Sequence, residues 1–444
     1  MPLPASTNHH HSDLVPKIQM TNMYNSRFKF HGNDNINRWT EYTMNQVSLI
    51  GIALLLVIAS ANISAETERM LPEQKIFTAA AFGPDGRLWR IIPSQKYISV
   101  DYSTDYGKSF SQPVRVNSTD ISIHLWDENP PTLSVDRRGR LYVLYFANDK
   151  QASTSFFSHS DNGTQFSQPI KISSEADNRY HYQTEMIIDA TDRIHFVWHD
   201  VRDREEYKKL GGGDLSIYHA SAKTGKAIQL ASDQRIAKNV CSCCRTAMAE
   251  DIDGSLVMLA RFVYPGNIRD HGLFRLSSDG KIGEPWRVTF DDWAIEGCPA
   301  HGPALSISAD GRYHMAWFTQ GEKRSGLFYA WSDDQGRTFS SPMPIGDQEK
   351  LPGRAEVLAL GKQVALAWKV FDGMQTRVEA MYSMNGGLHW SAARPIAESS
   401  AQSAHPALIT DGKQIFLSWN SLDTGYRLIP VMQLDSSDIG SKSE

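Results

Sequence analysis

Four cysteines are the residues of this sequence best suited to chemistry. They fall in two short segments, Cys241-Ser242-Cys243-Cys244-Arg245 and Cys298-Pro299-Ala300-His301. Thiolate and imidazole are soft donors, so Cys241, Cys243 or Cys244, Cys298 and His301 form a candidate ligand set for Cu(I) or Zn(II). Disulfides are the plain alternative for an even number of cysteines in an oxidising compartment. Every possible pairing must bridge two cysteines within 241–244, and such short loops are strained and readily reduced. A redox-active thiol pair is the third reading.

Other polar segments carry weaker signals. His195 and His199 flank Trp198 in the segment His195–Asp200; such histidines are more often satisfied by hydrogen bonds than by a metal. Arg261 and Arg269, at the two ends of a long loop, could hold a carboxylate or simply be solvated. The run Arg202–Lys209, followed by Gly211-Gly212-Gly213, is mixed in sign and reads as a mobile surface loop. Across the chain, 45 basic and 50 acidic residues give a net charge of -5, which argues against a nucleic-acid partner. Hydrophobic residues at 41% and charged residues at 21% exclude a disordered or collagen-like chain, and 11 tryptophans supply a large core.

Residues so far apart need a scaffold that brings them together, and the chain has one because it repeats itself. Seven times a turn precedes an apolar strand, at Gly86, Gly139, Asp192, Gly254, Gly311, Gly361 and Gly412, with spacings of 53, 53, 62, 57, 50 and 51 residues. Periods near 50 with several short strands each point to propeller blades. An Asp-Gly turn before an apolar run is a hairpin signal, because glycine accepts the positive φ the turn requires.

A second motif follows the third strand of several repeats. Ser103–Phe110 and Ser332–Phe339 share the form S-x-D-x-G-x-[ST]-F, and His159–Phe166 and Ser383–Trp390 are weaker copies. Its key positions are Asp105, Gly107 and Phe110; Asp161, Gly163 and Phe166; Asp334, Gly336 and Phe339; and Asn385, Gly387 and Trp390. The acidic or amide side chain accepts turn amides, the glycine takes the left-handed conformation, and the aromatic fills the blade core. This form is the Asp-box, or BNR repeat, and residues about 75–435 resemble the sialidase-like β-propellers. In that family the boxes are structural. The expected fold is therefore all-β, a propeller of four-stranded blades occupying 66–444, with seven blades favoured and six, the family's usual number, as the alternative. The seventh repeat, 404–434, offers only three strands, so a stretch around Met70 to Ile76 is expected to close the ring and remove its open edge.

In such a ring the first strand of each blade lines the axis, and the loops entering these strands converge on one face. Those loops carry Trp126-Asp127-Glu128, Tyr180-His181-Tyr182, both cysteine segments, Arg354 and His405. Resemblance to sialidases implies three arginines clamping a carboxylate, a tyrosine nucleophile with a glutamate partner, and an aspartate acid/base. The match here is loose. Arg90 lies in Trp89–Pro93, which resembles the family's Arg-Ile-Pro start with an extra isoleucine. Arg245 and Arg354 stand at suitable loops, Tyr426 is a candidate nucleophile with Glu185 or Glu356 beside it, and Asp127 is a candidate acid/base.

The run from Val47 to Ala61 has 15 residues and no charge. It is short for a membrane span and fits the apolar core of a secretory signal over 47–65, preceded by an extension, 1–46, that reads as unstructured or not translated. The chain is thus expected to be periplasmic or secreted. Three functions remain open: a binding or redox accessory module whose Cys/His cluster takes Cu or Zn, a sialidase-type glycoside hydrolase, and a disulfide-stapled interaction platform. The partner is a protein or a glycan.

Overall fold

The structure, a computed structural model, describes residues 76–148, 153–174, 181–204, 215–297, 299–350 and 352–432. The expected signal and its extension, residues 70–75 of the expected clasp, most of the Arg202–Gly213 loop and Cys298 lie outside the described residues. Among the described residues no helix is long and apolar enough to cross a membrane.

Seven antiparallel sheets occupy 80–115, 132–171, 181–240, 247–287, 304–344, 353–399 and 407–430, and in each the spatial order of strands is the sequence order. The first six have four strands; the seventh has three among the described residues. Their innermost strands are Ala80–Phe82, Thr132–Val135, His181–Ile188, Ala247–Glu250, Ala304–Ile307, Gly353–Leu360 and Ala407–Thr410. Each touches the next, and Ala407–Thr410 touches Ala80–Phe82, so the ring closes. The fold is an all-β propeller of seven blades, not six.

The repeated turns explain why the strands fold back on themselves. Glycine at six of the seven positions has φ between 59° and 84°, and Asp192 takes the seventh at 62°. Aspartate is among the few residues that tolerate this region, which is how blade three keeps the turn without glycine. Because each blade is covered on both faces, its middle strands read as nearly unbroken apolar runs, such as Leu256–Arg261 and Tyr313–Gln320. Trp198, Trp317, Trp368 and Trp419 occupy the same place in the second strands of blades three, five, six and seven, each fully buried.

Six apolar clusters fill six of the joints between blades. The seventh joint, between blades seven and one, is aromatic: Phe416 lies 5.5 Å from Phe82 and 5.7 Å from Tyr106, and Tyr426 meets Phe110 edge-on at 5.8 Å. Ile76 packs in the cluster of blades six and seven, and Asn420 donates to Thr78 at 3.0 Å, so the chain upstream of blade one is tied to the last blade.

The Asp-boxes form as expected, with two corrections. In the strong copies the carboxylates of Asp105 and Asp334 accept from the backbone N–H and hydroxyl of Ser109 and Thr338 at 2.6–2.9 Å. In the copy of blade two the acceptor is Asn162, not Asp161: Asn162 Oδ1 takes the Thr164 N–H at 3.0 Å. Asp161 instead points towards Arg140, because this copy is one residue shorter between acceptor and glycine. The aromatics, moreover, plug the joint with the preceding blade rather than their own core. Phe110 meets Tyr426 of blade seven, and Trp390 meets Tyr329 of blade five at 4.9 Å. Phe166 joins the cluster of blades one and two, and Phe339 that of blades four and five. The box glycines press on the same neighbours, and a Cβ at Gly163 or Gly387 would strike Trp89 or Tyr329.

Asp334→Ala removes a turn acceptor with several hydrogen bonds and should cost about 1–2 kcal/mol in chemical denaturation, whereas Asp161→Ala should stay within about 0.5 kcal/mol. Equal effects would contradict the reassignment of the blade-two turn to Asn162.

Candidate functional site

The innermost strands are only half-buried, for example throughout Ala80–Phe82, Ala247–Glu250 and Ala407–Thr410, as strands facing a wet axis must be. At the end where the chain enters these strands, residues from six blades meet. Arg245 forms an ion pair with Glu356, and its backbone N–H donates to Glu128 Oε2 at 3.3 Å. Arg354 pairs with the other oxygen of Glu128 and also donates to the carbonyl of Ala300. Asp127 accepts from His405 Nε2 at 3.2 Å, and Lys369 donates to the carbonyl of Ser403 at 3.0 Å. The convergence of loops expected from the repeats is therefore real: Glu128 and Arg354 touch across 226 residues of sequence.

The backbone is strained where it delivers these groups. Gln183, Ala300 and Arg354, none of them glycine, have φ of 51°, 50° and 58°. Left-handed conformations at such residues cost of the order of 1–3 kcal/mol and cluster at functional sites. Gly302 lies flat against Arg245, so that any Cβ there would strike the arginine.

Electrostatics single out one group. Glu185, on the inner strand of blade three, faces this cluster, and its carboxyl is pushed up to about 7. Loss of solvent is the largest cause; Arg245 opposes it, and the charges of Glu356 and Glu128 add to it. Glu128 is also raised by burial, against the pull of Arg245 and Arg354. Burial alone would raise Asp127, but the hydrogen bond from His405 and the charges of His405, Lys369 and Arg354 keep it low. Burial lowers Lys369 to about 8, His405 to about 4 and His301 to about 3, so both histidines are neutral at neutral pH. Three cations, Arg245, Arg354 and Lys369, thus face four carboxyls, and the fourth keeps its proton.

Beside this mouth lies the cysteine turn. Cys241 Sγ is 3.6 Å from Cys243 Sγ, which is 3.9 Å from Cys244 Sγ, and all three sulfurs lie within 4.8 Å of one another. Cys241 and Cys244 are buried free thiols, while Cys243 is disulfide-bonded. Arg269 donates to Cys241 Sγ at 3.4 Å, and the Ala300 N–H donates to Cys243 Sγ at 3.4 Å. The hydrogen bond from Cys244 holds the Cys241 thiol below its ordinary value, with help from Arg261 and Arg269, and burial drives Cys244 well above it. His301 is not part of the sulfur group: its ring stacks on Phe318 at 4.1 Å.

The remaining candidates lie elsewhere. Arg90 forms a bidentate pair with Asp101 at 3.1 and 2.6 Å and stacks over Phe110 and Tyr426 at the joint of blades one and seven. Among the described residues it shares no partner with Arg245 or Arg354. The Tyr426 hydroxyl meets Ser418 at 3.0 Å, and burial raises it to about 12. Arg261 is neither solvated nor available to a carboxylate, since its guanidinium donates to the carbonyls of Arg269, His301 and Phe318 at 2.7–3.0 Å. His195 bridges Asp189 and His219 at 3.1 and 3.0 Å. The role of Glu128, which holds two arginines, and that of Lys369 went unread in the sequence. Glu128 sits next to Asp127 in a loop already marked as axial, whereas Lys369 is the solitary cation of a second strand with no motif around it.

No family model and no curated relative matches the chain. Among solved structures, a lectin from Burkholderia pseudomallei, BP39L, aligns with a TM-score of 0.56 at 11% identity, covering 81% of this chain and 99% of that one. An ulvan lyase, a polysaccharide lyase bound to -[GlcA(1-4)Rha3S]-, aligns at 0.52 and 10% identity, covering 82% of this chain and 93% of that one. A sialidase, Hz136, gives 0.46 at 12% identity, covering 76% and 74%. At these identities the likeness is one of fold.

A glutamate raised when folded stabilises the protein below its unfolded pKa, and that contribution is lost as pH rises through about 7. Glu185→Gln should therefore gain on the parent between pH 5 and 8, by about 1–3 kcal/mol after allowance for partial exposure. Urea unfolding of both proteins at the two pH values measures this, and parallel pH dependences would show that Glu185 is not raised.

Proposed function

We propose that this chain is an exported glycan-binding propeller whose axial mouth transfers a proton through Glu185. The observation that carries the reading is the placement of Glu185, a carboxyl pushed up to about 7 by loss of solvent, facing the Arg245 guanidinium at the axial mouth. Such a group can give a proton to a leaving oxygen or, once ionised, accept one from a sugar carbon or a water. Around it, guanidinium and ammonium donors alternate with carboxylate acceptors, an arrangement suited to hydroxyls and to an acidic sugar. The fold is shared with a lectin and with a lyase bound to a glucuronate-containing saccharide. The uncharged run from Val47 to Ala61 supports export.

A sialidase-type reaction would ask Arg90 and Tyr426 to work with Arg245 and Arg354. Arg90 is built into the joint of blades one and seven, stacked over Phe110 and Tyr426 and away from the axial mouth, and among the described residues Tyr426 has no glutamate beside it. We therefore assign proton transfer to Glu185 and carboxylate or hydroxyl recognition to Arg245 and Arg354.

Glycan arrays of neutral, uronate-containing and sialylated oligosaccharides, followed by product analysis on the binders, test this. The parent should bind, Arg245→Ala should bind at least about tenfold more weakly, and Glu185→Gln should bind yet turn over about a hundredfold more slowly. The parent rate should change across pH 7. A parent that binds no glycan ends the proposal; Glu185→Gln at full rate ends the role given to Glu185.

A further inference from the structure

The turn 241–244 is built more carefully than a loop between blades requires. Cys241 continues the outer strand of blade three, its N–H bonded to the Arg261 carbonyl at 2.8 Å, and the chain then turns so that three sulfurs face one point. A d10 ion holds thiolate sulfur at about 2.3 Å, which sets neighbouring sulfurs about 3.8–4.0 Å apart in tetrahedral or trigonal coordination. The separations of 3.6 and 3.9 Å lie close to those edges, and the third pair lies within 4.8 Å.

Charge narrows the choice of ion. Arg261, pinned by three carbonyls, and Arg269, donating to Cys241 Sγ, place two fixed positive charges beside the sulfurs. Three thiolates, two guanidiniums and one monovalent cation sum to zero, whereas a divalent ion leaves an uncompensated buried charge. Softness points the same way, since thiolates select Cu(I). The Ala300 N–H adds a donor to Cys243 Sγ, of the kind that orients and tunes a metal-bound sulfur.

We propose that the reduced chain binds one Cu(I) through Cys241, Cys243 and Cys244. In the present structure Cys243 is oxidised, so the site opens only after reduction. A dithiol reductant supplies two electrons, its own thiols becoming a disulfide while Cys243 and its partner sulfur each gain a proton. Each thiol that then ligates Cu(I) releases its proton. Binding is thereby gated by redox state, and the free pair Cys241 and Cys244 supplies the two ligands present in both states.

The full chain, reduced with a dithiol and freed of it without air, should withhold one equivalent of Cu(I) from a chromophoric Cu(I) chelator and show a thiolate-to-copper absorption band. The unreduced chain should show neither. Cys241→Ser, Cys243→Ser and Cys244→Ser should each lower retention at least tenfold. Because two of these sulfurs are buried and a serine there could unfold the turn, a second measurement uses the unmodified chain: Cu(I) should protect all three thiols from iodoacetamide, read by mass spectrometry of the 241–245 segment. All Cu(I) passing to the chelator, unchanged alkylation, undiminished retention in the variants, or Zn(II) held in preference to Cu(I) would each overturn the proposal.

Discussion

Each blade is a sheet with two apolar faces, and neither face can meet water. That constraint sets the architecture: every blade must be covered on both sides by a neighbour, which no open stack achieves, since a stack leaves two faces bare. Closing the stack into a ring removes both. The closure is made by the aromatic joint of Phe82, Tyr106, Phe110, Phe416 and Tyr426, with Arg90 stacked into it. Arg90 therefore serves the joint, its charge neutralised by Asp101 within its own blade. Closure also creates an axis where apolar packing ends, and hands it to the residues that lead into the inner strands.

What occupies that place is governed by a shortage of cations. Glu128 accepts from the Arg354 guanidinium and from the Arg245 backbone N–H, Glu356 has the Arg245 guanidinium, and Asp127 has His405 with Lys369 near. Glu185 has the field of Arg245, an arginine already engaged, and the charges of Glu356 and Glu128 repel its own. Holding a proton is the least costly state for it near neutral pH. The left-handed backbone at Gln183, Ala300 and Arg354 shows that the fold maintains this arrangement against local conformational preference.

The architecture was legible because its signals are local and repeated: a turn needing positive φ, a two-sided apolar run, an Asp-box. Even the exceptions follow local rules, with Asp192 taking the glycine's place in one turn and Asn162 the aspartate's in another. The ring also made the axial loops legible, so Asp127, Arg245, Arg354 and the 241–244 turn were placed together correctly. Which of them pair was not legible. Pairing depends on side-chain reach across blades that are more than a hundred residues apart in sequence, and nothing local distinguishes Arg245, at the axis, from Arg261, buried on backbone carbonyls. Arg90 shows the same limit, because a familiar tripeptide says nothing about the aspartate waiting on the adjoining strand.

The sulfur turn and the axial mouth are joined by chain adjacency and by shared hydrogen-bond partners. Cys244 and Arg245 are adjacent in the chain, and the Arg245 N–H is held by the same Glu128 whose other oxygen holds Arg354. Ala300, whose N–H donates to Cys243 Sγ, offers its carbonyl to Arg354, and Gly302 lies flat against Arg245. A change in what the sulfurs bind or bridge acts on backbone one residue from the guanidinium beside Glu185. Arg245 is in turn the charge that opposes proton retention by Glu185, so the residue next to Cys244 in the chain is also the one that sets how firmly that proton is held.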